Sequence, residues 1–211
     1  MQVTILFGIL ASTYLLVIAK RVPALIRGFR YQSALLLMAT LILAVREGRA
    51  ELYAVAGLIF AVKVLMIPHY LYLVARKIKL NESLGFFINA QLSLALALML
   101  TYFSWMLSGR LGLNLDSSLG AAITVAFSVI FTGAFLMIFR MTALGQVIGL
   151  LVMENGIFLL ASYISGGMPF FVEIAIFFDV LVSVVIMGLF VYRINKLFTH
   201  IDVSKLSRLR G

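Results

Sequence analysis

GLLVMENGIFLL, residues 149–160, sets Glu154 and Asn155 among side chains that otherwise suit lipid or a packed helix core. It lies inside an apolar run over 142–164. About 20 apolar residues in a helix cross about 30 Å of hydrocarbon. Similar runs, bounded by charge, cover 2–19, 31–46, 52–75, 83–108, 118–139 and 169–193. They are too long for barrel strands and lack the alternation that barrels require. Of 211 residues, 64% are hydrophobic and 12% charged, and the mean hydropathy is +1.14. A soluble domain of this length cannot hide that much apolar surface. The expectation is an all-α integral membrane protein with seven transmembrane helices.

The first run carries its charges, Lys20 and Arg21, after the apolar stretch. A cleaved signal has the reverse order, so this run reads as a retained span. Basic residues then orient the chain. One set of loops and the tail holds Lys20, Arg21, Arg27, Arg30, Arg76, Lys77, Lys79, Arg140, Arg193, Lys196, Lys205, Arg208 and Arg210. The opposite set holds Arg46, Arg49 and Arg110, beside Glu47, Glu51 and Asp116. The bias predicts an external N-terminus and a cytoplasmic C-terminus. It also accounts for the formal charge of +9 without any nucleic acid partner. The basic loops suit the anionic surface of a bilayer.

There is no cysteine, which removes disulfides, thiolate metal sites and iron–sulfur ligation together. His69 and His200 cannot pair on a haem inside the bilayer, because His200 lies in the basic tail. No glycine-rich phosphate loop occurs. The chain is therefore expected to carry no cofactor or metal of its own.

Sixteen of the seventeen basic residues lie near span ends, and Lys63 is the exception. It sits mid-span in AVKVLMIPHYLYL (61–73), five residues before Pro68. Proline removes one N–H and crowds the carbonyl a turn earlier, so the helix should break there. Lys63, the break at Pro68 and His69 read as part of a polar path. The plainer alternative is a lysine that pairs with one acid and only fixes packing. Asp179, in EIAIFFDVLVSVVIMGLF (173–190), falls near mid-depth of the last run, as Glu154 does in the run before. SGGMP (165–169) joins those two runs tightly, which makes them antiparallel neighbours. Groups this costly to keep charged in lipid are candidates for taking and giving protons. A static hydrogen-bonded role between helices is the alternative for both acids. Glu173 suits either the outer mouth of a path or an interface. Asn155 is a supporting donor. Gly145, Gly149 and Gly156 allow close helix approach.

The closing segment, 140–211, resembles the small K subunit of respiratory complex I. It has three final spans, an acid beside Asn in the middle one, an acid deep in the last, and the tail HIDVSKLSRLRG. The chain is too long for that three-span subunit. In KVLMIPHYLYLVARKI, LVMENG, VEIAIFFD and the terminal IDVSKL…LRG it instead resembles hydrogenase-4 component E along nearly its full length. That family serves the membrane arm of formate hydrogenlyase-type nickel–iron hydrogenases. One departure stands out: aligned on the preceding glycine, the complex I carboxylate would fall near Leu151, one helical turn before Glu154.

The resemblance implies two parts, a five-helix segment 1–139 and the K-like segment 140–211. It implies a non-redox subunit of an ion-translocating oxidoreductase in a prokaryotic inner membrane. Its partners would be antiporter-like membrane subunits and the subunit anchoring the peripheral arm. Nickel–iron and iron–sulfur centres would belong to those partners. Lys63, Glu154 and Asp179 would relay protons. The alternatives are a subunit of a cation/proton antiporter without a redox partner, or a static assembly scaffold.

Overall fold

The computed structural model describes residues 2–48, 50–77, 89–111, 117–164 and 188. Its helices are α1 (Gln2–Ile18), α2 (Val22–Glu47), α3 (Ala50–Leu58), a π segment (Ile59–Met66), α4 (Ile67–Lys77), α5 (Ala90–Arg110), α6 (Ser117–Phe139) and α7 (Ala143–Ile164). α3, the π segment and α4 form one continuous rod. Among the described residues, five stretches are long and apolar enough to cross a membrane, and α1 is apolar but shorter. The five are Val22–Glu47, Leu52–Arg76, Ala90–Arg110, Leu119–Phe139 and Leu144–Ile164. This is the make-up of a multi-pass membrane protein. The last run, 169–193, lies outside the described residues except for Gly188. A Cβ there would run into Tyr70.

α2 differs from its apolar run. From hydropathy the span starts at residue 31, but the helix starts at Val22. Arg21 is extended and Pro23 sits in the first turn, where its missing N–H costs nothing. Val22, Leu25, Ile26 and Phe29 then bury one face while Arg27 and Arg30 stay exposed on the other. At its far end Gly48 takes φ +64 and returns its N–H to Ala44 O at 2.9 Å. Glycine suits this left-handed cap because it has no Cβ to clash.

α1 and α2 pack together at the centre. The α3–α4 rod lies on α2, α5 lies on α1 and α6, and α7 joins α6 to α2. α6 and α7 share the closest interface. A Cβ on Gly133 would strike the Met153 backbone, and one on Gly149 would strike that of Met137. Helices gain little from hydrophobic exclusion inside lipid, so small residues that let backbones meet do that work. Gly156 does the same against Ile130, whereas Gly145 instead fits under Arg140 and Thr142.

α5 is inverted relative to a soluble helix. It buries Ser93, Ala97, Ser104 and Ser108, and it exposes Leu98, Met99, Tyr102, Phe103 and Trp105. The small side chains admit close packing, and Tyr14 and Thr101 hydroxyls meet at 2.7 Å across α1 and α5. An apolar exterior around a small, polar-dotted seam fits hydrocarbon as the outer solvent.

Candidate functional site

Along the α3–α4 rod, Ile59, Lys63, Ile67, Leu71 and Ala75 form a buried stripe at four-residue spacing. Lys63 thus takes a place where the pattern calls for an aliphatic side chain. The break expected at Pro68 is a π segment rather than a simple kink. Its ladder closes with Ile67 N–H on Val62 O, five residues back. Proline cannot donate the next bond and crowds the preceding turn. A widened turn just before it is one way to reroute the ladder, and such segments recur at functional sites.

Lys63 is 3% exposed. Its Nζ donates to Asn155 Oδ1 at 3.0 Å and lies 6.0 Å from the Phe158 ring centroid, within cation–π range. Asn155 Nδ2 donates to Gln32 Oε1 at 3.2 Å and to Ser33 Oγ at 3.4 Å. Gln32 Nε2 donates to Thr13 Oγ1 at 2.7 Å, and that hydroxyl donates to Ile9 O at 2.8 Å. All the donors run one way, from the ammonium to a backbone carbonyl. The chain crosses the π segment, α7, α2 and α1. Unmade bonds here would be expensive in so dry a setting, and the side chains satisfy one another.

Glu154, half-buried, lies within Coulombic reach of Lys63. A carboxyl group and an amine therefore share the centre of the bundle, with Asn155 bonded to the amine. At 1.5 Å per residue, Lys63 lies about 20 Å along its rod from Arg76, and Asn155 about 18 Å along α7 from its start at Ala143. Gln32 lies about 15 Å along α2 from its start, and Thr13 about 8 Å along α1 from its end. The polar side chains thus descend from mid-depth toward the arginine-rich end.

Of the residues expected from sequence, Lys63, Glu154 and Asn155 come together, and Pro68 is buried just past the π segment. His69 points away from them. It is exposed and lines a separate cleft with Arg27 and Arg30. Asp179 and Glu173 lie outside the described residues. Thr13, Gln32 and Ser33 are not expected from sequence, yet they complete the chain. Starting the second span at residue 31 makes Gln32 look interfacial. Pro23 as a helix-start signal would have put it ten residues inside α2.

A second buried cation sits at the turn between α6 and α7. Arg140 is fully buried. Its guanidinium donates to Leu16 O at 2.7 Å, Ala19 O at 2.8 Å and Val17 O at 3.4 Å, so it caps the C-terminus of α1. Thr142 caps α7 beside it, accepting from Gly145 N–H at 3.2 Å. No group of three or more metal-ligating side chains forms among the described residues.

No family model matches the sequence, and no solved structure matches the chain. Among curated proteins it is similar to the uncharacterized protein Rv0085 of Mycobacterium tuberculosis. The two are 27% identical over 208 residues, which cover 96% of this chain and 93% of that one.

Proposed function

We propose that the chain is a non-redox, proton-handling subunit of an ion-translocating oxidoreductase complex of the group 4 nickel–iron hydrogenase and complex I type. It spans a prokaryotic inner membrane seven times, with its N-terminus outside and its C-terminus in the cytoplasm. The observation that carries this reading is Lys63, buried at mid-depth, bonded to Asn155 and within Coulombic reach of Glu154. A lysine there can exist charged or neutral, which an arginine cannot. A neighbouring carboxyl gives the proton somewhere to go. Asp179 continues the relay through the last span, with Glu173 toward the outer side. The resemblance to hydrogenase-4 component E supplies the partners: antiporter-like subunits, an arm-anchoring subunit, and soluble subunits holding the metal centres.

A second reading has its own support. The chain from Lys63 to Ile9 O is satisfied at each link between four structural elements, which is how a static pin looks. Under that reading the protein is an assembly scaffold.

Affinity purification of the chain from its native membrane, with mass spectrometry and metal analysis, tests the partner assignment. The proposal expects antiporter-like subunits together with nickel- and iron–sulfur-containing ones. Recovery of antiporter-like subunits alone would point to a cation/proton antiporter.

A further inference from the structure

Where α2 enters the bundle and α4 leaves it, the two helices enclose a cleft of about 410 Å³. Arg27 and Arg30, one turn apart on α2, face His69 and Tyr72 of α4 across it. Leu65 and Pro68 form an apolar wall. Arg76 lies 5.8 Å from the Tyr72 ring, which brings a third guanidinium to the rim. Both α2 arginines are exposed, and no acidic side chain lines the cleft among the described residues. Lys63, Asn155 and Glu154 do not line this cleft.

We infer that this cleft binds the phosphate headgroup of an anionic phospholipid. Guanidinium forks match phosphate oxygens in pairs, and a hydroxyl and an imidazole N–H across the cleft add donors. The volume is in the range of small-ligand sites. Depth agrees as well. Arg27 and Arg30 lie 19 and 16 residues before Arg46 on one helix, about 29 and 24 Å, close to the thickness of the hydrocarbon layer. When Arg46 marks the opposite interface, Arg27 therefore sits at the headgroup level and Arg30 about 6 Å inside it, within reach of a long side chain that extends to the interface. Leu65 is 44% exposed and continues the wall down the rod, offering a track for an acyl chain. A free phosphate ion would have no use for that wall, which is why the lipid is assigned. Basic pockets between helices at such an interface are suited to anionic headgroups.

The inference rests on the chain lying in a membrane and not on its proton chemistry. A chain that stays dispersed without detergent would remove that premise by itself. The test titrates the detergent-solubilised full chain with phosphatidylglycerol or phosphatidylcholine and counts bound lipid by native mass spectrometry. Phosphatidylglycerol is expected to bind at least tenfold more tightly. Arg27→Gln/Arg30→Gln should weaken it at least fivefold. Lys20→Gln/Arg21→Gln removes the same charge from the same end outside the cleft, and should change binding less than twofold. His69→Gln, which removes no fixed charge, should cost about twofold to threefold and keeps the test open if the double variant fails to fold. Equal losses for the two double variants would reduce the cleft to diffuse surface charge and overturn the site. The same holds if the headgroup makes no difference. Displacement of bound lipid by millimolar inorganic phosphate, with the same arginine dependence, would reassign the cleft to a soluble anion.

Discussion

Lys63 and Arg140 are both buried in the bundle, and they are held in opposite ways. Arg140 gives its guanidinium to three backbone carbonyls at the end of α1. Those acceptors cannot turn, and the guanidinium does not lose its proton. Lys63 gives its Nζ to the side-chain oxygen of Asn155, next to Glu154. An amide can rotate, and an ammonium can be emptied and refilled. Burial of a charge is thus a poor guide to function on its own. What the charge is bonded to separates a clamp from a candidate relay.

The largest expected effect comes from removing the clamp. Arg140→Ala should lower the unfolding free energy by about 3 kcal/mol or more, since each buried acceptor left without a donor costs about 1–3 kcal/mol. Arg140→Lys should recover only part of it, because a point charge cannot serve three carbonyls as a planar fork does. Denaturation in detergent, followed by circular dichroism, measures both. An Arg140→Ala protein as stable as the parent would break the contrast from the structural side.

Gln32→Leu is the intermediate case. It takes the acceptor from Asn155 Nδ2 and the donor from Thr13 Oγ1. The expected loss is about 1–2 kcal/mol, read from the same denaturation curves. It should also loosen Asn155, so hydrogen exchange near the centre of α7 should rise. Unchanged exchange there would detach Gln32 from the site.

Lys63→Met is expected to move stability least, by about 1 kcal/mol in either direction. Removing one partner of a buried charge pair costs about 3–5 kcal/mol when the other stays ionised, but the Glu154 carboxyl can take up a proton, and an apolar side chain removes the desolvation cost of the ammonium. Proton translocation by the assembled complex should nevertheless be lost. A steep loss of stability with translocation intact in the surviving complex would place Lys63 beside Arg140 as a second clamp.

How these residues appear in the sequence follows from what each one needs. Lys63, Glu154 and Asn155 are legible because polar side chains stand out within apolar runs. Gly149 and Gly156 are legible by spacing, whereas Gly133, which meets Gly149, becomes visible only once α6 faces α7. Pro68 signals a break but not its kind, since a kink and a π segment both answer a missing N–H. Gln32 is hidden by its neighbours. Four basic residues between 20 and 30 make that stretch look like a loop, although Arg27 and Arg30 ride the exposed face of α2. Arg140 is counted from sequence as one positive charge in a short turn. Its real partners are 121–124 residues away, and no local pattern points to them.

In the proposed function Glu154 and Lys63 exchange a proton rather than merely attract each other. The most direct measurement is the proton-to-electron ratio of the intact complex in sealed membrane vesicles carrying Glu154→Gln. Glutamine keeps the shape and most of the hydrogen bonding but cannot titrate. The expected result is a normally assembled complex, unchanged electron transfer to an artificial acceptor, and a clearly lowered ratio. A ratio and coupled rate equal to those of the parent would contradict it and leave Glu154 as a pin between helices.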